Sequence, residues 1–146
     1  MLDGLFVTPA VTAIVEALSS ANAQGKLAVV GNPKLAAALA ETKREVLPIA
    51  MSPRAAKKLT NALADLSAVE ERSLSAVVGV DIATDDGWEV TLSEWRRVVR
   101  DGGAIVFVDR GHAPEASRRA LCSGLSEIAQ RHVGRTIVTS GLVTHL

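Results

Sequence analysis

Residues 97–109 read Arg97-Val98-Val99-Arg100-Asp101-Gly102-Gly103-Ala104-Ile105-Val106-Phe107-Val108-Asp109, and the fold class follows from them. Ahead of the glycine pair, Leu92, Trp95 and Val99 fall on one side of a helix expected over residues 91–99. Gly102-Gly103 is expected to end that helix and turn the chain. Behind the pair, residues 104–108 are apolar without a break, as a strand buried on both faces requires. A helix that feeds such a strand is the crossover unit of a parallel sheet.

The same alternation extends in both directions. Upstream, residues 76–82 form the clearest central strand, apolar except for Asp81 near its end. Residues 27–30 form another, bounded by Gly31-Asn32-Pro33, and residues 46–51 a third. Thr8-Pro9 reads as a cap and first turn of a helix ending near Asn22. A second helix is expected over residues 35–42. A third opens at Ser52-Pro53 and runs through Lys57, Leu59 and Leu63. Residues 64–73 read either as the tail of that helix or as a brief strand near Leu66. Asp85, Asp86 and Gly87 form a turn within a loop over residues 84–88. Downstream, Ala113-Pro114 starts a long amphipathic helix over residues 115–132. Residues 135–139 and 142–145, around Ser140-Gly141, read as a terminal hairpin. The order predicts an α/β, Rossmann-like, doubly wound and mostly parallel sheet. Helices cover both faces, a short C-terminal hairpin follows, and residues 1–146 form one domain.

Composition narrows the function. With 146 residues, 48% of them hydrophobic and 22% charged, the chain can bury one sizeable core. Formal net charge is zero, which speaks against nucleic acid and against an anionic membrane surface as partners. The aromatic residues are Phe6, Trp88, Trp95 and Phe107, too few for a base-stacking platform. No apolar run approaches the ~20 residues of a membrane helix. The single cysteine, Cys122, makes no internal disulfide and reads as a small buried residue on a helix. A reducing, cytoplasmic compartment is expected.

Two segments carry a family resemblance. Residues 97–109 resemble the late "R-x-L-[KR]-P-G-G" turn and following strand of class I S-adenosylmethionine-dependent methyltransferases. Pro48-Ile49-Ala50-Met51-Ser52-Pro53 resembles that family's "G-h-D-h-S-P" segment at the end of its second strand. The resemblance spans about residues 9–146. It implies a cofactor site at the carboxyl ends of the strands, with Gly31, Asn32, Ala50, Met51 and Asp81 at the matching places. It also shows what has been lost. The family's glycine-rich first loop reads here Val29-Val30-Gly31-Asn32-Pro33-Lys34-Leu35. Val29 holds the acidic place, and Pro33 and Leu35 hold two glycine places. Proline removes an N–H donor and leucine adds bulk. The carboxylate that accepts from the ribose hydroxyls is replaced by Ala50, which accepts nothing. Asp65 is a poor match for the family's third acid and reads as a solvated helix residue.

Asp81 is the polar group retained at the end of the central strand, where it reads as a cap for the following turn. His112 reads as a loop histidine, and His132 and His145 as surface residues. Asp81, His112 and Cys122 have no metal-ligand spacing. A second resemblance, of residues 77–90 to a response-regulator receiver domain, lacks the acidic pair needed after the first strand to hold Mg²⁺. The expectation is a degenerate methyltransferase-like domain with no cofactor and no catalytic residue, acting through a protein partner or as a homodimer. The alternatives are an active methyltransferase whose S-adenosylmethionine site is atypical or completed by a partner, and a pseudo-receiver.

Overall fold

A computed structural model describes residues 2–42, 44–50, 54 and 62–145, with the side chains of residues 2–9 left aside. The chain runs α1 (Leu2–Ser20), β1 (Leu27–Val30), α2 (Pro33–Ala40), β2 (Val46–Ile49) and a 3₁₀ turn (Leu66–Ala68). It continues with β3 (Leu74–Val80), α3 (Trp88–Val98), β4 (Val99–Arg110), α4 (Ala113–Cys122), β5 (Ser126–Val133) and β6 (Thr136–Leu142). The strands form one sheet in the order β2-β1-β3-β4-β6-β5. β2, β1, β3 and β4 are parallel, whereas β6 runs antiparallel to both β4 and β5. The antiparallel β6 between β4 and β5 departs from the receiver-type order, which would be 2-1-3-4-5.

Apolar residues lie on both sides of the central strands because both faces are covered. Along β3 and β4, Val77, Ile105 and Phe107 join Leu92 and Trp95 of α3 and Ala116 and Ala120 of α4 in one buried cluster. Their neighbours Val78, Val106 and Val108 point the other way, onto Ile14 and Leu18 of α1 and Leu35 and Leu39 of α2. The Rossmann-like layering predicted by the alternation is therefore present. No described helix is long and apolar enough to cross a membrane.

Several local expectations are corrected. α1 begins at Leu2, so Pro9 lies inside it at the cost of one i→i−4 bond, rather than at its start. The glycine pair does not end α3. That helix stops at Val98, and Gly102-Gly103 lies within β4, where the register against β3 slips between Leu74 and Ala76. Leu63 is extended and bridges Ile49 in parallel, instead of continuing a helix; the Ser52-Pro53 start of that helix lies outside the described residues.

The long C-terminal helix divides at Gly124. Gly124, with φ +84°, donates to the Leu121 carbonyl, and Leu125 donates to Ala120. This pair of bonds closes a helix with a left-handed residue. The residues beyond it form β5. The C-terminal hairpin is present, but it pairs β5 with β6 across Gly134-Arg135, with Val133 opposite Thr136. Cys122 is exposed, not buried. α4 buries the Ala116–Ala120 stripe, and Cys122, two residues further on, turns to the opposite side.

One contact inside the sheet admits no side chain. A Cβ on Gly79 would lie 2.1 Å from Trp95 Cη2, so the indole of α3 rests directly on the backbone of β3. Gly79→Ala is expected to lower stability by about 2–3 kcal/mol through overpacking, measured by urea denaturation. A loss below ~0.5 kcal/mol would contradict this contact.

Candidate functional site

The winding reverses between β1 and β3, since the chain goes from β1 outward to β2 and then returns to the other side of β1. Sheets of this kind take ligands beyond the carboxyl ends of the strands at such a point. The strands there end in a repeated way. Gly31, Ala50, Asp81 and Gly111 each follow a strand with positive φ, at +79°, +56°, +60° and +88°. Each donates its N–H to a carbonyl on the neighbouring chain segment. Gly31 bonds Ile49, Ala50 bonds Leu63, Asp81 bonds Val108 and Gly111 bonds Arg135, at 2.8–2.9 Å. The left-handed residue completes the ladder and then swings the chain out of the sheet. Ala50 and Asp81 hold this shape despite their Cβ, as does His112 at φ +60°, and backbone strain of this kind gathers at functional edges.

After β1 the backbone leads directly into α2. Asn32 caps that helix, its Oδ1 accepting from the Leu35 N–H at 2.9 Å, while its carbonyl accepts from Ala36 at 3.0 Å. Pro33 stands at the first helical position and has no N–H. Of the amides this helix N-terminus could present to a ligand, that of Pro33 is thus absent and that of Leu35 engaged. Leu35, expected to crowd the cleft, is instead buried in the core with Leu39. Above Gly31 there is room: a Cβ there would meet nothing within 4 Å. This loop therefore has space, with one donor absent at Pro33 and one engaged at Leu35. Ala50 is exposed at the end of β2 and supplies no acceptor. Met51 lies outside the described residues. Pro33 brings no donor to this edge and the Ala50 side chain no acceptor.

Asp81 and Asp109 share the region but divide the work differently from the sequence expectation. Asp81 is exposed; its carbonyl, not its carboxylate, accepts from Thr84. The capping carboxylate is that of Asp109, at the end of β4 and only 2% exposed. Its Oδ1 accepts from the Ala83 N–H at 2.8 Å, and its Oδ2 is buried without a partner. Burial raises its pKa, opposed by the Ala83 bond and reinforced by the charge of Asp81, with His112 and Arg119 pulling it back down. The sequence signal for Asp109 was present, since residues 104–108 run apolar into it just as residues 76–80 run into Asp81.

Arg119 of α4 holds the same loop from outside. Its Nη1 donates to the carbonyls of Ile82 at 2.6 Å and Asp85 at 2.8 Å, while its Nε donates to Glu115. Its guanidinium lies 5.2 Å from the centre of the Trp88 ring. Arg118 and then Arg119 hold the Glu115 carboxyl down to about 2. The other sequence candidates do not join this edge. Asp65 caps the 3₁₀ turn through Ser67, which lowers its pKa. His145 ties the C-terminal segment to Val99 through its Nε2 at 2.7 Å. Among the described residues no group of three or more His, Cys, Asp or Glu side chains could hold a metal ion.

Two substitutions probe this edge. The raised pKa of Asp109 means that the folded chain holds its proton to higher pH than the unfolded chain does. Stability therefore falls as pH rises through the window from the ordinary aspartate value to the raised one. Asp109→Asn keeps an acceptor for Ala83 and removes the charge, so its stability should lose that slope in urea titrations at successive pH values. Ala50→Asp should fold with stability within about 0.5 kcal/mol of the parent, because the position is exposed and aspartate tolerates a left-handed backbone. A melt lowered by several kcal/mol would place Ala50 in filled space.

No family model and no curated protein matches the sequence. Solved structures do. A Haloferax volcanii protein described as a methyltransferase, in complex with the Trm112 methyltransferase activator, is 14% identical with a TM-score of 0.69 over 89% of each chain. A SAM-dependent methyltransferase from Thermotoga maritima is 14% identical with a TM-score of 0.69, over 90% of this chain and 88% of that one. The Thermus thermophilus 16S rRNA guanine methyltransferase, solved with AdoMet and guanosine, is 17% identical with a TM-score of 0.59. There the match covers 83% of this chain but 36% of the other. At these identities the likeness is one of fold, and the chain has the fold of the class I SAM-dependent methyltransferases.

Proposed function

We propose that this chain is a methyltransferase-like domain that has given up the cofactor cradle and works as a protein-interaction or regulatory module. The observation that carries the reading is the capped entrance of α2. The Asn32 side chain satisfies the Leu35 amide from within the chain, and Pro33 contributes no donor. An anionic ligand at that end finds few amides to meet it. At the next strand the acceptor for a ribose is missing at Ala50. Each charge-assisted hydrogen bond lost in this way weakens binding by roughly 1.5–3 kcal/mol. The neutral overall charge supports a protein partner over nucleic acid, and the exposed free thiol of Cys122 suits a reducing, cytoplasmic setting.

A second reading has an observation of its own. One structure of the same fold was solved in complex with a methyltransferase activator, and open space remains above Gly31. An active methyltransferase whose site is completed by another subunit would use both.

Calorimetric titration of the chain with S-adenosylmethionine separates the two. No heat of binding is expected at ligand concentrations near 1 mM, and Ala50→Asp alone should not create it, because the α2 entrance stays capped. Affinity tighter than about 10 µM in the isolated chain would end the interaction-module reading. Binding that arises only when a second protein is added would favour the partner-completed enzyme.

A further inference from the structure

The sheet ends at β5, which has β6 on one side and no strand on the other. Its outer N–H and C=O groups form an open edge. Such edges are commonly blunted with charges and bulges, and β5 has a bulge: the register against β6 slips between Ser126 and Ala129, with Glu127 at φ +48°. Its charges, however, are arranged in a way that blunting alone does not require. On the α1 face of the strand, Glu127 and Arg131 lie on either side of Ala129. They line a cleft of about 150 Å³ together with Ala17, Ser20 and Ser140.

Arg131 is three-quarters buried and held in place. Its Nε lies 3.5 Å from Glu16 Oε2, and its Nη2 donates to Ser20 Oγ at 3.2 Å. Glu127 is exposed and makes no hydrogen bond or ion pair among the described residues. We infer that β5 is a self-pairing edge, and that a second copy of this chain docks on it antiparallel about a two-fold axis through Ala129. That axis sets Glu127 of each copy opposite Arg131 of the other, so the unpaired carboxylate of one meets the fixed guanidinium of its mate twice. Centring the axis on Arg131 sets two guanidinium groups face to face, and centring it on Glu127 sets two carboxylates together. The charge pattern therefore selects one register. The two clefts lie beside the axis and close over each other, so each copy completes the other's pocket.

Self-pairing supplies a partner for the interaction module proposed above, but it rests on β5 alone and not on the state of the cofactor edge. A dimer with S-adenosylmethionine affinity would sink the proposed function and leave the pairing intact. A monomer without affinity would do the reverse.

The test is analytical ultracentrifugation of the full chain over a concentration series reaching ~100 µM, with melting curves to show that each variant folds. A dimer is expected. Glu127→Arg and Arg131→Glu should each weaken it at least tenfold, and the double exchange should recover part of that loss, because the opposed pair is then reversed while the Arg131–Glu16 contact stays broken. A second variant reads the axis directly. Ala129→Cys in a Cys122→Ser background should oxidise to a disulfide-linked dimer, since residues facing each other at the axis have Cα atoms about 4.5–5.5 Å apart. A monomeric parent at the highest concentration overturns the pairing. So does a dimer that is indifferent to both charge exchanges and forms no disulfide in the Ala129→Cys variant.

Discussion

A strand buried on both faces can leave the sheet only at its ends, and must satisfy its last amide before it leaves. Here the solution is repeated at the end of each parallel strand. A left-handed residue donates sideways to a neighbouring carbonyl and redirects the chain, at Gly31, Ala50, Asp81 and Gly111. Two of these four residues carry a Cβ, which makes the conformation unfavourable in isolation. The ladder bond and the packed layers on either face hold them there. The carboxyl edge is thus set by backbone geometry before any side chain contributes chemistry.

What side chains add at that edge is fixation of loops. Asp109 and Arg119 both hold the β3–α3 loop, one through the Ala83 amide and the other through the Ile82 and Asp85 carbonyls. Asn32 closes the entrance of α2 in a similar way. These polar groups spend their hydrogen-bonding capacity within the chain. The unpartnered Oδ2 of Asp109 is the exception, and it is sealed from solvent.

Much of this was legible in the sequence, and the rest was not for physical reasons. The unbroken apolar runs of β1, β3 and β4 announced strands covered on both faces, and the alternation with helices announced the layering. The division of residues 115–132 into α4 and β5 was signalled by Gly124, yet a lone glycine costs a helix only about 1 kcal/mol, so periodicity on either side outweighed it. Met51 lies outside the described residues, and Gly31, Asn32, Ala50 and Asp81 do gather at one edge. The exchange of roles between Asp81 and Asp109 could not be read in advance. Both end an apolar run, and which carboxylate is buried depends on where the strand stops: Asp109 is still within β4, whereas Asp81 lies past the end of β3 with φ +60°.

The proposed function requires that the strand edge around Gly31 and Ala50 no longer holds a nucleoside cofactor. A nuclear magnetic resonance titration addresses this residue by residue, following the backbone amides of Gly31, Asn32, Leu35 and Ala50 as S-adenosylmethionine is added to millimolar concentration. Their resonances are expected to stay where they are. Saturable shifts confined to those four residues would show that the edge still holds the cofactor.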